Sequence, residues 1–419
     1  MSNTSDHFVS GLRKDLLQDV GKPGIVVGQV YTWIRDSTRM LGGYVSKSIV
    51  PLQNLQNSEE SGLNGRYVKI RNAGLIKDMS RDQIIPLKHA RPDEDGNFLF
   101  EPDNGGEFLD HLSINMDDQT LQRYLEACRF GEVNTYFHLD RIAAYIDGLL
   151  QELALPSLPQ VVAVVNSHQM AQPSSREKIF SGGHYRLPSW RYDIPELESI
   201  SRTGEIHLGC GRKLLKYGAL AEFARAPYLK NASHLADIIY HEYGHHVNRH
   251  VADFQANRAR PSDRQSNRKV PMDEGTSDYW TAVMLGTPHI WAWHKRHDAV
   301  KIHPRSLISG KTMADYDSRR EADPHLNGTI WAATIWKLRT ILGRERSEGE
   351  RRTDLLVLKS LDIIGRFGLE KGTLGQMSRV RRGFEAGLRA IREADMSLFS
   401  GQHDQIILDC FSERGIRPE

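Results

Sequence analysis

His241, Glu242 and His245 stand as H-E-x-x-H within IIYHEYGHHVNRH, residues 238–250. On a helix, four residues turn through about 400°, so the two imidazoles lie roughly 40° apart and about 6 Å along the axis. Both can then reach one metal ion. Glu242 points to the side, toward a water on the metal rather than the metal itself. Two ligands and a general base are the arrangement of a zinc hydrolase. In a chain with 18 histidines the motif alone is not decisive. His246 and His250 are also four apart, but they face about 100° away with no glutamate between them. They read as surface histidines.

A hydrolytic zinc site takes three protein ligands and keeps one position open. The metzincin pattern would need glycine at 248 and histidine at 251, and the chain has Asn248 and Val251. The other solution is a glutamate from a second helix. MDEGTSDYW, residues 272–280, supplies Glu274, 33 residues after His241 (274 − 241). Asp278 falls one turn later on the same face, placed to accept the second ring proton of a ligating histidine. DPHLNGTIWAATIW, residues 323–336, opens with Asp323 and His325 in a turn. His325 is the candidate to stabilise an oxyanion. The plain alternatives are a solvated helix-start glutamate for Glu274 and a capping or surface histidine for His325. The three stretches together favour the site.

The elements that must position these residues follow from periodicity. The chain has 419 residues, 39% hydrophobic and 26% charged, which predicts two or three domains. Short β-branched runs such as GIVVGQVYTWI and GRYVKIRN predict a β-rich region over 1–115, and RPDEDGNFLFEPDNGG a strand between two turns. Helical spacing begins near 117, in DDQTLQRYLEACRF and NTYFHLDRIAAYIDGLLQEL. QVVAVV and TGEIHLGCG read as strands. Ser233 is a fitting N-cap for the H-E-x-x-H helix, with Asp237 near its positive end. Residues 253–271 read as a solvated loop, and the chain beyond 272 as mostly helical. Cys128, Cys210 and Cys410 are too scattered for a disulfide framework or a thiolate site. A net charge of +2 gives no pull toward nucleic acid or a membrane surface, and no stretch is apolar enough to span a bilayer. Neither is an expected partner.

HEYGHH, then DEGTSDYW, then HLNGTIW resembles the thermolysin-like gluzincins, and most of all the fungalysin-type metallopeptidases. Order and spacing agree over roughly 200–419. NTYFHLDRIAAYI and ADMSLFSGQHDQIILDCFSERGI are also similar to that family. The resemblance implies an α+β fold with a two-lobed catalytic domain: an upper β-containing lobe over 116–250 and a lower helical lobe over 251–419, preceded by the N-terminal region 1–115. It implies one Zn²⁺ per chain on His241, His245 and Glu274, with Glu242 as base. Asp278 resembles the partner of the first histidine, and His325 the transition-state stabiliser. EIHLG would be the edge strand that takes the substrate, through Ile206, His207 and Leu208. Ile238 would line an apolar pocket, or else pack against the other lobe.

The activity so implied is hydrolysis of peptide bonds in proteins or peptides, at internal positions. Two departures stand out. The family is normally secreted behind a signal peptide and a long propeptide, whereas MSNTSDHFVSGLRKDLLQDV has no signal-like pattern and the first 110 residues are short for a propeptide. No tyrosine is well placed to assist His325, with Tyr279 and Tyr316 as the available candidates. No acidic cluster has calcium-loop spacing. The competing expectation is a catalytically silent binding module with a structural zinc, or a latent zymogen.

Overall fold

The computed structural model describes residues 24–36, 38–57, 62–78, 83–102, 118–170, 182–189, 200–214, 231–291, 303–319, 321–370 and 383–418. The first 23 residues and the Asn-Gly turn at 104–105 lie outside them.

Val27–Arg35 (β1) pairs antiparallel with Gly43–Pro51 (β2). Next come Leu55–Asn57 (β3), Asn64–Gly65 (β4) and Val68–Asn72 (β5), then the hairpin of Leu75–Asp78 (β6) and Gln83–Pro86 (β7). The helix Asp118–Glu152 (α1) follows, then Val161–Met170 (β8), Gly183–Arg186 (β9) and Glu205–Leu214 (β10). Six of these strands form one mixed sheet in the order β3-β4-β5-β8-β10-β9. β5 and β10 both run parallel to β8, and β9 runs antiparallel along β10. Parallel neighbours need a long crossover, and α1 lies within the one between β5 and β8. Its Val133, Phe137, Ile142 and Ile146 share a core with Val68, Ile70, Val161, Ala163 and Ile206 of the sheet.

This sheet crosses the expected boundary at 115/116. β5, from the N-terminal region, shares a ladder with β8 from beyond it, so the two do not form separate β units. The short runs that predicted strands carry no information about which strand pairs with which. The strand expected in RPDEDGNFLFEP reduces to a single bridge from Phe98 to Gly28.

Beyond the sheet the described chain is helical, which makes the fold α+β. Ala236–Val251 (α2), Pro271–Leu285 (α3) and Pro324–Glu345 (α4) carry the motif residues. Gly349–Glu370 (α5), Phe384–Phe399 (α6) and Asp404–Glu413 (α7) complete the helical part. Two backbone contacts set how closely the motif helices approach. A Cβ on Gly244 would fall 2.6 Å from Ser277 Cα, and one on Gly275 would fall 2.3 Å from the Gly328 carbonyl oxygen. Glycine therefore lets α2 touch α3 and α3 touch α4.

The helix starts differ in part from expectation. Leu235 occupies the N-cap position of α2. Ser233 instead lies in a short 3₁₀ turn that Asn231 caps, because the Asn231 side chain accepts from the Ser233 N–H. Asp237 is in the first turn of α2 as expected, and is fully buried. The segment 253–270 is not simply solvated. Asp253 and Phe254 are buried, Asp253 accepts from the Asn257 and Arg258 amides, and Asn257 exchanges hydrogen bonds with Ser266. Residues 258–269 are largely exposed, as expected.

Candidate metal centre

α2 and α3 bring the motif residues face to face. His241 Nε2 lies 3.1 Å from Glu274 Oε2 and 3.2 Å from His245 Nε2, and His245 Nε2 lies 3.6 Å from Glu274 Oε2. Zinc bonds of 2.0–2.1 Å at tetrahedral angles place neighbouring donor atoms roughly 3.3–3.4 Å apart. The three donors are therefore spaced as one face of a tetrahedron, and they fit the ion. A buried His241–Glu274–His325 group can also hold a metal, with donor atoms all within 4.8 Å of one another.

Each imidazole is held from behind by a carboxylate. His241 Nδ1–H donates to Asp278 Oδ1 at 2.9 Å, and His245 Nδ1–H to Asp273 Oδ1 at 2.9 Å. Arg305 grips Asp278 with two bonds of 2.6 and 3.0 Å, and its guanidinium lies over the Trp291 ring. Asn248 donates to Asp273 at 2.7 Å. These partners leave each Nε2 directed at the shared point. Burial opposes charge here, yet Asp278 and Glu274 raise the His241 pKa, and Asp273 and Glu274 hold that of His245 well above the ordinary range. Burial likewise opposes the Glu274 carboxylate, but the imidazoles of His245 and His241 hold its pKa well below normal.

Glu242 is 5% exposed and stands in the wall of a cleft, with His184, His245, Lys269 and Glu274. It is outside the donor triangle. Strand β9 runs past it: a Cβ on Gly183 would meet Glu242 Cγ at 2.5 Å and Ile238 Cγ2 at 2.7 Å. Ile238 is buried in the main core and faces this strand. Burial pushes the neighbouring His184 down to about 4, against the attraction of Glu242.

His325, at the start of α4, reaches the same place. Asp323 caps α4 through the His325 amide, and also accepts from the ring Nδ1–H at 2.6 Å. His325 Nε2 lies 3.2 Å from Glu274 Oε2 and 2.9 Å from Lys269 Nζ. Burial lowers the His325 pKa despite Glu274.

Two expectations change. EIHLG is not the edge: β10 is hydrogen-bonded to β8 on one side and β9 on the other, and Ile206, His207 and Leu208 are fully buried. Among the described residues β9 is the edge on that side of the sheet. Of the histidines four apart behind the motif, His246 is not a surface group and His250 is half-buried. His246 is fully buried, donating from Nε2 to the Pro159 carbonyl at 3.0 Å with the Tyr185 hydroxyl at Nδ1, and His250 Nε2–H donates to the Thr203 carbonyl at 3.1 Å. They pin the far side of α2 to the sheet. Tyr279 spends its hydroxyl on buried Asp354, and Tyr316 packs edge-on against Phe384.

Asp273, Gly183, Lys269 and Arg305 were not singled out by sequence. Asp273 had a signal, being the residue beside Glu274. The others enter through loops and a strand whose distance along the chain hides them. No protein-family model and no curated protein matches this chain. The resemblance to gluzincins therefore stands on its three motifs, and the geometry above stands apart from it.

Proposed function

We propose that this chain is a zinc-dependent metallopeptidase that cuts peptide bonds in proteins or peptides at internal positions. The observation that carries the reading is the donor triangle of His241, His245 and Glu274, with Glu242 beside it in an open cleft but outside it. Held there, a zinc ion would act as a Lewis acid, acidifying a water and polarising a carbonyl. Glu242 takes the proton of the attacking water as its oxygen bonds to the carbonyl carbon. Glu242 then gives that proton to the amine nitrogen as the C–N bond breaks. Asp278 and Asp273 keep the two imidazoles in the Nδ1–H tautomer, leaving each Nε2 lone pair for the metal. The substrate adds as a strand along β9, the edge strand on that side of the sheet among the described residues. In this reading the sheet with α1 forms the upper lobe of a thermolysin-like domain and the helices after 251 the lower one.

Glu242→Gln is the test. Hydrolysis of a peptide library, with cuts read by mass spectrometry, should occur with wild type and vanish with the variant, while zinc stoichiometry stays at one per chain. A variant that still cuts would overturn the role of Glu242.

A second reading has its own observation, the approach of His325 Nε2 to the same carboxylate. Four protein ligands would make a closed structural zinc in a catalytically silent module. X-ray absorption on the zinc-loaded protein separates the two: three imidazoles and no light-atom water ligand would favour the silent module.

A further inference from the structure

The pairing of β9 with β10 sorts the main-chain groups of β9. In an antiparallel ladder, residues alternate between bonding the partner strand and facing away from it. The Gly209 amide donates to the Gly182 carbonyl at 3.0 Å, so Gly182 faces β10. The register runs Leu208↔Gly183, His207↔His184, Ile206↔Tyr185 and Glu205↔Arg186. The alternation therefore turns Gly183, Tyr185 and Leu187 outward. Among the described residues, the main chain of Gly183 and of Tyr185 has no partner on that side. Leu187 has one: its amide donates to Asn267 Oδ1 at 3.2 Å. Asn267 Nδ2 in turn donates to Ser189 Oγ at 3.0 Å.

Asn267 is exposed, but the chain on both sides of it is fixed. Ser266 exchanges hydrogen bonds of 2.8 and 3.2 Å with the Asn257 side chain, and Gln255 donates to the Arg268 carbonyl at 2.8 Å. Asn257 is anchored in turn, its amide donating to buried Asp253 at 2.7 Å. Leu187 and Asn267 line the same cleft as Glu242. Their hydrogen bond joins the two walls of that cleft. At Leu187, Asn267 supplies the acceptor that an added strand would bring.

We propose, on the metallopeptidase reading, that Asn267 is a specificity-determining residue that ends the row of substrate positions along β9, so that the chain grips only a short extended stretch of peptide. Glu242 lies against Gly183, so the substrate residue beside the bond being cut lies opposite Gly183. Paired strands advance residue by residue, so the third residue out lies opposite Tyr185 and the fifth would lie opposite Leu187. The first and third find open main-chain groups. The fifth finds the Asn267 amide in its place, and the joined walls turn the rest of the substrate out of the cleft. Strand addition draws its affinity from main-chain hydrogen bonds. Length beyond four residues on this side then adds nothing.

The test compares zinc-loaded wild type, Asn267→Ala and Asn267→Asp. One arm measures kcat/KM on peptides lengthened one residue at a time on either side of a bond that wild type cuts. The other measures Kd by calorimetry for peptides that carry a zinc-binding hydroxamate at one end and are lengthened away from it, in both chain directions. In wild type, the series that runs along β9 should stop gaining at four residues. A net hydrogen bond is worth about fivefold in binding. Asn267→Ala frees the Leu187 amide, so the fifth and later residues should add about that factor while shorter peptides are unaffected. Asn267→Asp keeps an acceptor for Leu187 and should level off with wild type. Wild-type gains that continue past four residues in both directions, an Asn267→Ala plateau identical to that of wild type, or an Asn267→Asp series that gains as Asn267→Ala does would each overturn the proposal. Should wild type cut no peptide, the functional reading falls, and the hydroxamate series still decides for or against Asn267. An exposed side chain puts folding at no risk in these variants.

Discussion

Asp273 Oδ1 stands 2.9 Å from His245 Nδ1, the same distance that separates Asp278 Oδ1 from His241 Nδ1. Both candidate zinc histidines thus lean on a carboxylate, and each carboxylate is held in turn, by Asn248 and by Arg305. Removing such an outer partner costs about 10–100-fold in metal affinity. Asp273→Asn should weaken zinc by that factor in competition with a chromophoric chelator. An unchanged affinity would mean that Asp273 does not orient His245.

Gly183 leaves no room for a side chain beside Glu242. An alanine Cβ would lie 2.5 Å from Glu242 Cγ and 2.7 Å from its Oε1. A base displaced by about 1 Å costs on the order of 10²-fold in rate. Gly183→Ala should therefore lose most turnover while zinc affinity stays at the wild-type value. Equal loss of both would point to a distorted α2 instead.

Gly244 sets the distance between α2 and α3. Alanine in a helix interior gains about 1 kcal/mol in propensity over glycine. Here its Cβ would meet Ser277 Cα, a backbone atom that cannot rotate away, at 2.6 Å. Overpacking costs roughly 1–3 kcal/mol, so the clash outweighs the gain. Urea unfolding of Gly244→Ala should show a net loss, together with weaker zinc binding as Glu274 moves away from the imidazoles. A stabilised variant would show that the two helices can part freely.

His138 makes stability depend on pH. It is buried on α1, donates from Nε2 to the Tyr31 carbonyl at 2.9 Å, and pairs through Nδ1 with the Tyr240 hydroxyl at 2.6 Å. Burial, with Arg141 nearby, pushes its pKa down to about 3 from 6.5. The folded state then keeps His138 neutral at pH values where the unfolded chain takes up the proton. Its contribution is complete above 6.5 and is lost as pH falls from there toward 3. Each pH unit in that window costs about 1.4 kcal/mol, so roughly 2–3 kcal/mol is lost by pH 4.5. Other buried histidines add to the total, so the readout is a difference in slope. The unfolding free energy of His138→Gln should fall less steeply than wild type between pH 6.5 and 4.5; parallel curves would refute the assignment.

The linear chain already determined the residue types of the candidate metal centre. Spacing of four on a helix puts His241 and His245 on one side whatever surrounds them, and the register of Glu274 with Asp278 on the next helix is equally local. The helices themselves, and the strands β5, β8 and β10, were legible because apolar periodicity depends only on near neighbours. What the tertiary structure decided is which surfaces meet. β10 became an inner strand and β9 the edge, because pairing partners are chosen by the whole sheet. His246 went inside, and His250 partly so, because the sheet covers the far face of α2. Lys269 and Arg305 reached the centre from loops, where no periodicity marks a residue's destination. Gly244 carries no chemistry in the sequence, yet its missing side chain lets α2 and α3 approach closely enough for His241, His245 and Glu274 to share one ion.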